Sequence, residues 1–423
     1  MLQHLFANAA RVMKLTISSE DGDMQLLEKQ IWDLLPLLFP WKTLLPNVVE
    51  IVIGAAAMSS TFPWEALLGP KLEDIEILTA RVDERFFDAL SKAPCLLKLR
   101  NFTTYSWFDD MDELVEELRN LEYFEALIPG LGQVHQYVLV TLAQLPRLEI
   151  IDLSEGWEGI WPSFPSNFAS LRSLTIRQSA DVFFIDMFLR DMRYKALTYL
   201  QLNLQLAEPY MDNLRDIFVS IGSLSALEHL DFSAWDEGSP PLLMEEWLDE
   251  CLDLKCSIQP LLNLRRLHTF SLRMPLYIQH EVTNDRVPVF AAAWPNLRLF
   301  EYQRLTEDNL TPLTSLPPAG MTLEALPFFA LFMPNLEELI LQADVRKFKP
   351  LYWAPLARSE KEIGLHIARS PIDEESWLFV ARYIASVYPN AKLRYEGGQR
   401  LSPQELCCWD KVQDYLRACV ERT

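Results

Sequence analysis

Glycine is scarce in this 423-residue chain, with 13 glycines against 27 prolines. That balance argues against glycine-rich phosphate loops, and no Walker sequence or Gly-x-Ser-x-Gly elbow is present. Gly130-Leu131-Gly132 lacks a third glycine and a preceding strand, so it reads as a turn. Histidine is also sparse. His4, His135, His229, His268, His280 and His366 are scattered, none four residues from another, which excludes an HExxH-type metal site. The six cysteines (Cys95, Cys251, Cys256, Cys407, Cys408 and Cys419) fit no zinc spacing and are few for a secreted disulfide scaffold. Reduced thiols in a cytoplasmic or nuclear protein are expected. No apolar run reaches the ~18 residues of a membrane span. Leu34–Pro46 is broken by Pro40 and Lys42, and Val48–Met58 by Glu50. The first residues lack the charged-then-apolar order of a signal peptide. Basic residues number 38 against 59 acidic, a net charge of -21. Nucleic acid is thereby a poor partner, because its phosphates would be repelled. Such acidity serves solubility, and it also suits a protein partner with a basic surface.

What is abundant is apolar material, half of all residues. The chain is too long for one ordinary core, so it is expected to form two or three domains or a repeat array. A short phrase recurs with apolar residues at positions 1, 4 and 6. Its copies are Val48/Ile51/Ile53, Leu72/Ile75/Ile77, Leu148/Ile151/Leu153, Leu171/Leu174/Ile176, Leu197/Leu200/Leu202 and Leu227/Leu230/Phe232. Leu267/Phe270/Leu272, Leu297/Phe300/Tyr302 and Leu336/Leu339/Leu341 follow, and weaker copies start at Val12, Leu96 and Leu121. From Val48 the steps are 24, 24, 25, 27, 23, 26, 30, 40, 30 and 39 residues. The first six lie in the leucine-rich-repeat range of ~20–29, and the later ones carry insertions. Positions 4 and 6 alternate, so they share one face of a short strand, and position 1 turns inward just before it. One copy cannot bury its own apolar face, but a stack of copies can. Leu174 and Leu200 are expected core positions.

The stretches between phrases carry apolar residues at helical spacing: Val82–Lys92, Asp109–Asn120, Gln133–Gln144, Asp181–Tyr194, Tyr210–Ile221, Leu323–Met333 and Glu374–Tyr388. Trp294-Pro295-Asn296-Leu297, Met333-Pro334-Asn335-Leu336 and Tyr388-Pro389-Asn390 are stops, since proline ends a helix and asparagine tolerates the next turn. A parallel α/β sheet would also alternate strand and helix. The number and even spacing of the copies favour an α/β leucine-rich-repeat solenoid, a curved horseshoe with parallel strands inside and helices outside. The array is expected to span residues 1–401, with its later repeats irregular. The asparagine or cysteine usual three residues past the strand is mostly missing.

Residues 402–423 are expected to form a capping helix. Ser402 suits the N-cap, Pro403 the first turn, and Glu405 completes a capping box. Leu406, Trp409, Val412, Leu416 and Val420 form an apolar stripe.

The Pro-Asn-Leu-Glu-Glu-Leu-Ile-Leu phrase, with its long irregular repeats, resembles fungal F-box/leucine-rich-repeat proteins. Phe6–Ile17 resembles the segment that begins the repeats there, Leu34–Ile53 the next stretch, and Arg286–Leu341 and Ile363–Tyr395 the last repeats. The resemblance implies a non-catalytic protein-protein interaction module, the substrate-recognition part of an F-box-type ubiquitin ligase adaptor. The family's F-box, a helical segment that docks a Skp-type adaptor, is not found ahead of these repeats, so that contact is expected only if an F-box lies upstream of Met1. A stand-alone scaffold or regulator is the alternative, and an enzyme with an unrecognised site a more remote one.

No catalytic, cofactor or metal site is expected. The acids from Asp109 to Glu117 fall in the first turns of a helix, where they suit the positive end of its dipole, and they lack the glycine and alternating oxygens of a calcium loop. Glu245, Glu246, Asp249, Glu250 and Asp253 read as a solvated face. Trp157 and Trp161 lie on a rim loop, either as partner anchors or folded onto the array. The candidate protein-binding surface is the concave face formed by outward strand residues: Asp74, Glu76, Lys98, Arg100, Asp152, Ser173, Thr175, Arg177, Tyr199, Gln201, Asn203, His229, Asp231, Arg273, Glu301, Gln303, Glu338 and Gln342.

Overall fold

A computed structural model describes residues 11–17, 45–53, 64–78, 84–93, 95–104, 118–126, 141–153, 168–179, 182–191, 196–206, 213–236, 255–275, 279–280, 282–305, 321–343, 345, 348, 357–367, 370–395 and 402–421. The chain forms two compact units, residues 1–197 and 198–423.

In the first unit seven strands pair in chain order, each parallel to the last: β1 (Lys14–Ile17), β2 (Glu50–Ile53), β3 (Asp74–Ile77), β4 (Asn101–Thr104), β5 (Tyr123–Ala126), β6 (Ile150–Leu153) and β7 (Ser173–Ser179). The register stacks position 4 of every repeat into one column, Leu15, Ile51, Ile75, Phe102, Phe124, Ile151 and Leu174. From Ile51 to Leu174 that column is at most 2% exposed.

The second unit repeats the plan with β8 (Tyr199–Leu206), β9 (His229–Asp236), β11 (Thr269–Pro275), β13 (Leu299–Leu305), β14 (Glu338–Leu341), β15 (Ile363–Ile367) and β16 (Ala391–Tyr395), again parallel. β10 (Lys255–Cys256) and β12 (Gln279–His280) form a small separate pair between repeats. Leu200, Leu230, Phe270, Phe300, Leu339, Leu365 and Leu393 form the corresponding column. Each unit is an α/β leucine-rich-repeat solenoid, one strand to a repeat.

The backbone explains the spacing of the phrase. The carbonyl at position 2 of one repeat accepts the N–H groups of positions 2 and 3 of the next. Glu122 O takes Glu149 N and Ile150 N at 2.8 and 3.1 Å, and His268 O takes Arg298 N and Leu299 N at the same distances. The position-1 N–H closes a tight turn onto the residue three before it, as in Leu121 N to Leu118 O and Leu336 N to Met333 O. That earlier residue forms a further apolar column missing from the three-position phrase: Leu45, Leu96, Leu118, Leu145, Phe168, Leu224, Leu264, Trp294 and Met333, all buried.

This extra column corrects one register. Leu96 was expected to open the third phrase, but it occupies the turn three residues before Leu99, and the true set is Leu99, Phe102 and Thr104. A motif with apolar residues every third position permits a slip of three. The last two strands also depart from the phrase. They bury alternate residues, Ile363, Leu365 and Ile367, then Ala391 and Leu393, and at β16 the turn bond of Ala391 N to Tyr388 O closes two residues before Leu393 rather than the usual three.

A polar ladder runs along the stops. At Lys98, Ser170, Asn335 and Asn390 the residue just before position 1 donates to a carbonyl in the preceding repeat's turn. Lys98 Nζ reaches Pro70 O at 2.8 Å, Ser170 Oγ Pro146 O at 2.7 Å, Asn335 Nδ2 Pro295 O at 3.1 Å and Asn390 Nδ2 Glu360 O at 2.7 Å. Asn335 and Asn390 of the stops therefore tie neighbouring turns together as well as tolerating their backbone.

Helices return the chain between strands: α1 (Trp64–Leu67), α2 (Glu84–Ser91), α3 (Val182–Asp191), α4 (Asn213–Gly222), α5 (Val287–Ala293), α6 (Leu326–Phe332) and α7 (Trp377–Val387). Aromatic edges lock them to the apolar columns. Phe218 of α4 meets Phe232 of β9 at 5.1 Å, and Phe329 of α6 meets Phe300 of β13 at 5.1 Å. α8 (Pro403–Val420) carries the full capping box between Ser402 and Glu405. It lies against α7 and β16, burying Cys408, Trp409, Val412 and Leu416. Trp409 Nε1 donates to Ser370 O at 2.8 Å, and Gln413 Nε2 to Leu393 O at 3.0 Å. Residues 1–10, the acids at 109–117, the tryptophan loop at 157–162 and the acids at 245–253 lie outside the described residues.

Candidate functional site

Alternation on each strand sends positions 3 and 5, and position 7 on the longer strands, to the face opposite the apolar columns. On β3 this gives Asp74 and Glu76, on β6 Asp152, and on β7 Ser173, Thr175 and Arg177. In the second unit it gives Tyr199, Gln201 and Asn203, then His229 and Asp231, Arg273, Glu301 and Gln303, and Glu338 with Gln342 just past its strand. The same positions of the Val48, Leu121 and Leu267 phrases add Glu50, Tyr123, Glu125, Thr269 and Ser271, and register adds Asn101, Thr103, His366, Lys392 and Arg394. Asn101 and Thr103 take the places expected of Lys98 and Arg100. Lys98 sits in the turn before β4, and Arg100 at its position 2. Lateral pairing with Asp74 and Glu76 is the signal that identifies them, and it is visible only once strands are in register.

The polar side chains on each face are linked both between strands and along them. In the first unit Asn101 donates to Asp74, Thr103 Oγ1 to Glu125 Oε2 at 3.3 Å and Tyr123 OH to Glu125 Oε2 at 2.5 Å. Arg177 holds Asp152 at 2.5 Å. At position 2, Arg100 bridges Glu122 at 2.5 Å and Glu73 at 3.8 Å, and its hydrogen bond holds the Glu122 carboxyl below the usual range. Asp152 is 9% exposed. Burial pushes its pKa up, Arg177 opposes the rise and Glu125 adds to it. Burial likewise raises Asp74, against the hydrogen bond from Asn101, with Glu50 and Glu73 adding to the rise.

In the second unit Glu301 is the hub. Ser271 Oγ donates to it at 2.7 Å, Gln303 Nε2 at 2.7 Å, and Arg273 lies 3.7 Å away while bonding Asp231 at 2.5 Å. Ser271 and Gln303 are buried within this network rather than freely exposed. Beside it Tyr199, His229 and His268 lie in a row with ring centroids 6.1 Å apart. His229 meets Thr269 Oγ1 at 3.0 Å, and burial, then His268, keeps its pKa low. Among the described residues no three metal-ligating side chains converge.

No protein-family model matches the chain, and no curated protein does. Solved structures with similar folds include the yeast Rad7–Elc1 complex (15% identity, TM-score 0.32, covering 66% of this chain and 68% of that one). The leucine-rich-repeat domain of APL1B is similar at 12% identity and TM-score 0.37, over 95% of this chain and 90% of that one. A Bacteroides fragilis protein is similar at 10% identity and TM-score 0.31, over 92% and 76% respectively.

Proposed function

We propose that this chain is a non-catalytic module that holds another protein against its strand faces, and that it serves as the substrate-recognition part of an F-box-type ubiquitin ligase adaptor in the cytoplasm or nucleus. The observation that carries the protein-binding reading is the linkage of polar side chains across neighbouring strands, Ser271 to Glu301 and Arg273 to Asp231 in the second unit and Thr103 to Glu125 and Arg177 to Asp152 in the first, braced along the strands by Gln303 and Tyr123. Side chains already fixed by their neighbours lose little freedom when a partner arrives, which favours association. The same groups are spread along sheets rather than aimed at one reacting atom, which suits recognition better than catalysis. The ligase assignment rests on the resemblance of the repeats to F-box/leucine-rich-repeat proteins.

Crosslinking mass spectrometry on the tagged gene product in its own cells tests both parts. A partner crosslinked to strand-face residues, together with a co-purifying Skp-type adaptor and cullin, is the expected result. A strand-face partner without adaptor or cullin would leave a stand-alone scaffold. Absence of any protein crosslinked to either face would overturn the binding reading itself.

A further inference from the structure

We infer that the polar face of β3 to β6 in the first unit docks an extended lysine- or arginine-rich segment of another protein, a refinement that rests on the protein-binding reading above. On this face the strands of the first unit, β1 to β7, carry five acids, Glu50, Asp74, Glu76, Glu125 and Asp152, against two bases, Lys14 and Arg177, and neither base lies on β3 to β6. Lys14 is engaged by Glu50 and Arg177 by Asp152. Asp74, Glu76 and Glu125 stand outside any ion pair among the described residues. The second unit's strands are balanced instead, with Asp231, Glu301 and Glu338 against Arg273, Lys392 and Arg394. The excess of one sign is therefore local to the first unit.

Two features mark this excess as more than a solvated surface. Glu50 lies directly beside Asp74, and Glu125 directly beside Asp152, as lateral partners in register. Like charges so placed, on strands ~4.8 Å apart, destabilise a sheet. The second feature is Asp152, nine-tenths buried on this face, whose Oδ2 is held by Arg177 while Oδ1 has no hydrogen-bond donor among the described residues. A buried carboxylate oxygen without a donor is costly, and a cationic group arriving over Glu125 and Asp152 offsets the negative charge of both. The acids are strung along one row of successive strands, Glu76, Glu125 and Asp152, with Thr103 between the first two. They converge on no point, which disfavours a metal ion and favours a polycation. From β3 to β6 is ~14 Å, and same-facing residues i and i+4 of an extended chain are ~13 Å apart, so basic side chains at that spacing span the row.

Fluorescence anisotropy with a labelled twelve-residue peptide of alternating lysine and serine, and a glutamate–serine counterpart, provides the test. The full chain is compared with E76Q/E125Q/D152N and with E65Q/D88N/E421Q, which neutralises three exposed acids elsewhere. At 0.15 M salt the lysine peptide should bind the face variant at least about tenfold more weakly than wild type, with the control within about twofold. The glutamate peptide should not bind. The amides remove like-charge contacts, so the face variant should melt no lower than wild type. If it fails to fold, E125Q alone should still weaken binding at least about threefold. Equal weakening in both triple variants, no saturable binding of the lysine peptide, or its displacement by stoichiometric Ca²⁺ or Mg²⁺ would each overturn the inference. A protein partner that crosslinks to the strand faces yet binds the face variant as tightly as wild type would overturn it while leaving the protein-binding reading intact.

Discussion

Leu230 is the sharpest test of the column that holds the second unit together. It is fully buried on β9, between Leu200 of β8 and Phe270 of β11, both fully buried as well. Truncation to alanine removes three carbons, a loss of about 2.4 kcal/mol at ~0.8 kcal/mol per buried methylene. A residual cavity of ~60 Å³ would add about 1.5 kcal/mol at ~24 cal/mol per Å³. Full collapse of the neighbours gives the lower figure alone, and none gives about 4 kcal/mol in all. β8 and β9 are paired over eight residues, which restrains both strands from moving in, so Leu230→Ala should fall in the upper half of that range. Urea unfolding followed by far-ultraviolet circular dichroism measures the loss. Hydrogen exchange should show weakened protection in β8 and β11 as well as β9, because stability in a stack is shared with neighbours. A loss under about 1 kcal/mol, or one confined to β9, would refute the shared-column argument.

At Gly222, where α4 meets the turn at Gln259–Asn263, an added Cβ would lie 2.4 Å from Pro260 O, so Gly222→Ala should cost about 1–3 kcal/mol by calorimetry. An unchanged melting temperature would mean that this contact is loose. Asp152 has a raised pKa, so the folded chain holds its proton to higher pH than the unfolded chain does. The stability this group contributes is then lost as pH rises from the ordinary aspartate range through its folded value. D152N should accordingly match wild type near about pH 4 and exceed it near about pH 7 in urea midpoint. The opposite trend would show that pairing with Arg177 outweighs burial. For α8 as a cap, Trp409→Ala should cost about 3–5 kcal/mol and Ser402→Ala about 1 kcal/mol. Fast hydrogen exchange throughout residues 402–421 of the wild type would rule the cap out.

The 1-4-6 phrase was legible in the sequence because one strand in each repeat must bury the same alternate residues. The capping box of α8 was legible too, because it is closed by residues three apart. The lateral register was not. Leu96 and Leu99 are equally good openings by pattern, and only the bonds of Arg100 and Asn101 to Glu73 O decide between them. That decision replaces Lys98 and Arg100 with Asn101 and Thr103 on the polar face. Glu50 and Glu125 fall at outward positions of the Val48 and Leu121 phrases, but that they stand beside Asp74 and Asp152 is visible only once the strands are in register.

The sequence by itself determined the repeating unit and which side of each strand faces the core. Both follow from local periodicity and from the cost of exposing apolar groups. Only the tertiary structure decided which polar side chains become neighbours. Residues 22 to 42 positions apart, such as Thr103 with Glu125 and Arg273 with Asp231, meet because parallel strands place them ~4.8 Å apart. Inter-strand hydrogen bonds set that proximity, and no spacing along the chain encodes it.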